Sequence, residues 1–164
     1  MLTMAAPAFA MTLGNSMLRQ FDPSHEIRGG VNAASEALGP GALGPVRVLV
    51  TFPDGGADSP ASRTTLDTIG LRMAQGPNVA TVSPPVIGKD NDSTADISAL
   101  SLDPEDFRAR VAVDWLPAEL PGVDSGVRID VGGPTALIKD FDDQVSAVQP
   151  LVFLFVSVIA FVML

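Results

Sequence analysis

The chain has 164 residues, a formal net charge of −9 and no cysteine. Its ten basic residues are scattered singly from Arg19 to Lys139, with only Arg108 and Arg110 close to a pair, which excludes a nucleic-acid partner because phosphate contacts need clustered Lys and Arg. The missing cysteines exclude disulfides and thiolate metal sites, and the length suits one globular domain.

No charge occurs from Met1 to Leu18, and Leu2 to Leu13 is largely apolar. Residues 1–13 read as the end of a transmembrane helix. The competing reading is a secretory signal peptide: Ala8-Phe9-Ala10 resembles a cleavage site, but the basic n-region is missing. Gly14-Asn15-Ser16 marks the exit from the apolar region, and residues 14–149 form the expected extracytoplasmic domain.

Asp22-Pro23 predicts an N-cap and first helical residue. Ile27, Val31, Ala34 and Leu38 then recur at helical spacing until Gly39-Pro40. Gly29-Gly30 weakens this helix by about 1 kcal/mol per glycine, so it should need a packing neighbour. From Pro45 to Phe52 the chain alternates, with Val46, Val48, Val50 and Phe52 on one side, as a half-buried strand does. Ser59-Pro60 starts a second helix with a stripe of Leu66, Ile69 and Met73, closed by Gly76-Pro77.

Val79 to Ile87 is apolar, but Pro84-Pro85 confines it to a sheet edge. A polar turn leads to a strand over Thr94–Leu102, where Ala95, Ile97 and Ala99 share one face and Leu100 and Leu102 the other, predicting a bulge near Ala99. Asp103-Pro104 signals a third helix, with Glu105 and Asp106 placing negative charge in its first turn. Its expected face is Phe107, Val111 and Trp115, and Pro117 and Pro121-Gly122 should end it. Val127, Ile129 and Val131 give a last strand, with Arg128 and Asp130 outward. Gly133-Pro134 opens a final helix whose stripe of Leu137, Phe141, Val145 and Val148 runs into an apolar tail.

After Asp143 no charged residue occurs, and from Pro150 to Leu164 only Pro150 and Ser157 are not apolar. A membrane-spanning helix needs about 20 apolar residues. Residues 150–164 read as such a span cut short. A buried core helix is the alternative, but core helices usually keep a polar stripe, and none is present. Cytoplasmic flanks are rich in Lys and Arg, whereas Lys139, Asp140, Asp142 and Asp143 precede this span, which places the domain outside.

From Pro45 to Gly132 the order is strand, helix, strand, strand, helix, strand. This predicts an α+β, ferredoxin-like split βαβ domain: a four-stranded antiparallel sheet with two helices on one face, plus flanking helices and truncated membrane ends.

Nothing in the sequence assembles a catalytic, cofactor or metal site. Gly39 to Gly44 matches G-x-G-x-x-G, but it follows a helix and precedes a strand, the reverse of a dinucleotide-binding turn, so it reads as a helix stop and turn. Gly88-Lys89 lacks the rest of a phosphate loop. Asp90, Asp92 and Thr94 begin like a calcium loop, but Ala95 and Ser101 stand where Gly and Glu belong. His25 is the sole histidine and reads as a surface residue in a first helical turn; a serine triad would have to be built on it. Asp140, Asp142 and Asp143 cannot all face one partner and read as a solvated face.

Gly132, Gly133, Thr135 and Ala136, followed by Asp140-Phe141 and an apolar helix opened by a proline, resemble the end of an extracytoplasmic loop in the MMPL family of the resistance-nodulation-division superfamily. Leu13-Gly14 and the Ala37-Leu38-Gly39-Pro40-Gly41 junction before a Val-rich strand are similar to that family's loop start, with Leu38 where Phe is usual. The resemblance implies the second porter domain, between the seventh and eighth spans, of a proton-driven exporter of lipids or other hydrophobic molecules in the cell (inner) membrane. The implied partners are membrane lipids, the remaining transmembrane bundle, the sibling porter domain and a hydrophobic substrate. The family's relay uses intramembrane Asp and Tyr; this chain has no Tyr and no charge in either apolar end, so the relay lies elsewhere. The runner-up is a membrane-tethered extracytoplasmic binding or scaffold domain without transport, and an enzyme comes third.

Overall fold

The computed structural model describes residues 21–39, 41–89, 93–104, 106–124 and 126–163. In chain order these form α1 (Glu26–Leu38), β1 (Val46–Thr51), α2 (Pro60–Ala74), β2 (Thr81–Val82), β3 (Val86–Ile87), β4 (Thr94–Leu100), α3 (Ala109–Glu119), a 3-10 turn (Leu120–Gly122), β5 (Arg128–Gly132) and α4 (Pro134–Met163).

The sheet order is β2-β4-β1-β5, with β3 also on β4, and the pairs are antiparallel. Counting β2 and β3 as one interrupted edge strand gives the expected split βαβ topology. Pro84-Pro85 makes the interruption, since neither residue has an N–H to give a ladder. Ser83 bridges it: its backbone N–H donates to Ser98 O at 2.8 Å and its hydroxyl accepts from Ser98 N at 3.0 Å.

Register follows the alternation in the sequence. Val46, Val48 and Val50 pair with Ala99, Ile97 and Ala95, and all six are buried. Leu66, Ile69 and Met73 of α2, with Val113, Leu116 and Leu120 of the α3 segment, cover that face. Ser59 caps α2 by accepting from Ser62 N at 3.1 Å, with Pro60 at the first helical position, which satisfies one orphan donor of that helix end.

Four expectations need correction. No bulge occurs at Ala99: β4 pairs regularly with β1 over Thr94–Ala99, and the next core-facing residue is buried Ser101 rather than a leucine. Ser101 Oγ donates to Asn78 O at 2.9 Å, and this bond lets a polar residue occupy a core position.

In α3 the buried face is Ala109, Ala112, Val113 and Leu116, while Phe107 is 69% exposed and Val111 is also exposed. Small residues supply the first turns, a stripe that bulk hydrophobicity does not flag. The helix begins at Ala109, after a turn in which Asp106 Oδ1 accepts from Arg108 N at 2.9 Å, and it continues through Pro117. Glu105 lies outside the described residues.

In α1 the N-cap is His25 rather than Asp22, and none of the helix's residues is buried. Asp22 instead forms the preceding turn, accepting from Ser24 N at 2.8 Å. In α4 most of the predicted stripe is exposed: Leu137, Phe141 and Val148 are exposed and Val145 is half-buried, while the buried residues are Thr135, Ala136 and Asp142.

Candidate functional site at the junction of sheet and apolar helix

The two glycine-bearing motifs, far apart in sequence, meet where β5 turns into α4. Gly133 has φ +105°, and a Cβ there would stand 2.4 Å from Pro45 O. Only glycine fits, both for that backbone conformation and for the approach to the start of β1. Thr135 Oγ1, buried, donates to Gly44 O at 2.8 Å. Gly44 is itself pressed against Pro104, 2.4 Å from where its Cβ would be, and Gly41 lies as close to the Ser101 backbone. Of the G-x-G-x-x-G match, Gly39 caps α1 at φ +93°, while Gly41 and Gly44 are consumed by packing against the Ser101–Pro104 segment. Pro40 lies outside the described residues.

Beyond this junction, two ion pairs tie α4 to α3. Arg110 pairs with Asp142, their side chains 17% and 6% exposed. Lys139 Nζ lies 3.0 Å from Asp114 Oδ1 and 2.6 Å from Asp143 Oδ2. Hydrogen bonds to Asp143 first, then to Asp114, hold the Lys139 pKa above its ordinary value. Asp142 thus departs from the solvated role expected of it. A lone aspartate in a helix that also carries Asp140 and Asp143 gives no sign of burial; the signal was the seven-residue step from Thr135, which places both on the face turned to the domain.

From Pro150 to Met163 every residue of α4 is exposed, in a helix that is long and apolar enough to cross a membrane. The described part of the chain buries no residue of this run. The junction is a mechanical one: a sheet, a glycine turn and ion pairs seat a domain directly on a bare apolar helix.

Among the described residues, no helix covers the opposite face of the sheet. It carries Leu49 between the Arg47–Asp96 pair and Asp130 and forms a shallow open concavity beside Pro134. His25 is exposed and its Nδ1 accepts from Ile27 N at 3.2 Å, a capping role. Gly88 N donates to Thr94 O at 2.9 Å in a hairpin turn; Asp90 and Asp92 lie outside the described residues. Among the described residues no group of three or more His, Cys, Asp or Glu is placed to hold a metal.

No family profile matches the chain. Whole-sequence relatives do. It is 65% identical over its full length to the mycolic acid-containing lipids exporter MmpL11 of Mycolicibacterium smegmatis, of which it spans 17%. The chain belongs to the MMPL family. The heme uptake protein MmpL11 of Mycobacterium tuberculosis is 59% identical, again over the full chain and 17% of that protein. A solved chain named mycobacterial membrane protein MmpL11D2 is 39% identical, with all of it and 54% of this chain covered, at a TM-score of 0.47. The fold of the chain is α+β. The MMPL relatives are named for transport, and the Gly132-Gly133-x-Thr135-Ala136 motif that carried the likeness is the turn that seats α4.

Proposed function

We propose that this chain is the second extracytoplasmic porter domain of a proton-driven exporter of lipids or other hydrophobic molecules in the inner membrane. Residues 1–13 end one span, 14–149 form the domain, and 150–164 begin the next span. The observation that carries the reading is α4: one continuous helix, fastened to the domain by Thr135, Lys139 and Asp142, whose turns from Pro150 to Met163 are apolar and exposed. A domain fixed rigidly to a span moves when the span moves, which is how porter domains can open and close a path without chemistry of their own.

The transported class follows the name of the Mycolicibacterium smegmatis relative, a lipid exporter. Proton coupling rests on family likeness, and its relay lies outside this chain. The domain, its sibling and the rest of the bundle would shelter the apolar substrate from water. The same seating on a span also suits a tethered scaffold without transport.

Flux separates the readings. Proteoliposomes holding the full-length protein should move labelled mycolate-type lipid faster when a proton gradient is imposed. Lipid movement indifferent to the gradient would remove proton drive, and no protein-dependent movement would favour the scaffold.

A further inference from the structure

The ion pairs that join α3 to α4 also set the level of α3 above the apolar tail. Arg110 meets Asp142 and Asp114 meets Lys139, so positions fall along α4 as they rise along α3. The two helices run antiparallel, and the start of α3 points the way α4 runs into its tail. Asp142 stands roughly 12 Å above Pro150 at about 1.5 Å of rise per residue, and Phe107, one turn before Arg110, reaches about 5 Å lower. Phe107 is thus roughly 7 Å above Pro150. The headgroup layer on each side of the hydrocarbon is about 5–7 Å thick.

At that level Phe107 presents a bare ring, 69% exposed, and Val111, one turn further along, is exposed as well. The Arg110 guanidinium lies 5.3 Å from the centroid of the ring, and Arg108 beside it is largely exposed. An aromatic ring flanked by guanidinium groups suits the boundary between acyl chains and headgroups, where ring and charge each find a fitting neighbour. Both arginines already have carboxylate partners, Asp106 and Asp142, so the patch has little net charge.

We infer that the turn before α3 is a membrane contact of the domain itself, separate from the span: the Phe107 ring enters the headgroup layer on the extracytoplasmic side. The contact depends on apolar insertion and not on anionic lipid. A domain held by one helix can swing about that helix; a ring resting on the bilayer beside it gives a second support and fixes the tilt. The inference rests on the membrane placement of residues 150–164 and not on transport.

The test is nitroxide labelling of the full-length protein, freed of cysteines elsewhere, in phosphatidylcholine bilayers, which carry no net charge. Labels go singly at Phe107→Cys, at Val111→Cys, at Asp54→Cys in the exposed loop after β1 and at Ile159→Cys in the tail. The ratio of collisions with oxygen to collisions with a water-soluble nickel chelate should be severalfold higher at Phe107 than at Asp54 and lower than at Ile159. Val111 should fall between Asp54 and Phe107. A ratio at Phe107 equal to that at Asp54 would overturn the inference, as would loss of both kinds of collision there, which marks cover by protein. Ile159 reports separately: oxygen-rich, nickel-poor collisions at that site keep the membrane reading even where Phe107 fails.

Discussion

Thr135 Oγ1 and Gly44 O, separated by 91 positions, share a buried 2.8 Å hydrogen bond that joins the first turn of α4 to the entry of β1. Thr135→Val keeps the shape and removes the donor, leaving a buried carbonyl unsatisfied at a cost of about 1–3 kcal/mol. Denaturant unfolding should show that loss, and Thr135→Ser, which keeps the hydroxyl, should recover most of it.

Gly133→Ala strains the same junction differently. Its φ of +105° disfavours any side chain, and the new Cβ would meet Pro45 O. Such positions cost about 1–3 kcal/mol in backbone strain alone, so the combined loss should exceed that of Gly122→Ala, where nothing lies within 4 Å of the added Cβ. Equal effects at the two sites would mean the turn is not tightly seated.

Arg110 and Asp142 form the most enclosed ion pair among the described residues. Removing either partner breaks a largely enclosed ion pair and should destabilise by up to about 3–5 kcal/mol. Arg110→Met with Asp142→Leu should be far milder than either single change, and a double-mutant cycle measures the coupling. Additive single effects would show that the pair does not join α3 to α4.

Lys139 gives the link a pH dependence. Its folded pKa lies above the ordinary 10.5 because Asp143 and Asp114 accept hydrogen bonds from its ammonium group. A raised lysine pKa stabilises fully below the unfolded value and loses that contribution as pH rises through the folded one. Amide exchange in α3 and the first turns of α4 should therefore accelerate above about pH 10.5, and Lys139→Met should flatten this dependence.

Much of the fold could be read from period alone. The valines of β1, the Leu66–Ile69–Met73 stripe of α2 and the prolines of the edge each had one physical solution. What misled were residues whose partners lie far along the chain. Ser101 sits in the core with its hydroxyl donating a hydrogen bond to the Asn78 carbonyl, and Ala109 and Ala112 form a buried face that larger neighbours outshout. Asp142 is buried beside Arg110, 32 positions away. The stripe of α4 was legible as a pattern, yet the described residues leave it uncovered, since a pattern names a face and not its partner. The junction's glycines were visible as motifs. Their use, close packing between β1 and α4, depends on contacts no local spacing encodes.

The proposed placement sets the domain outside the bilayer, on the apolar end of α4. Asp54→Cys places a thiol in the exposed loop after β1, in a chain with no other cysteine. In intact cells making the full-length protein, cleared of cysteines elsewhere, a membrane-impermeant maleimide should label this site without permeabilisation. Labelling that appears only once the inner membrane is opened would place the domain in the cytoplasm and contradict the account.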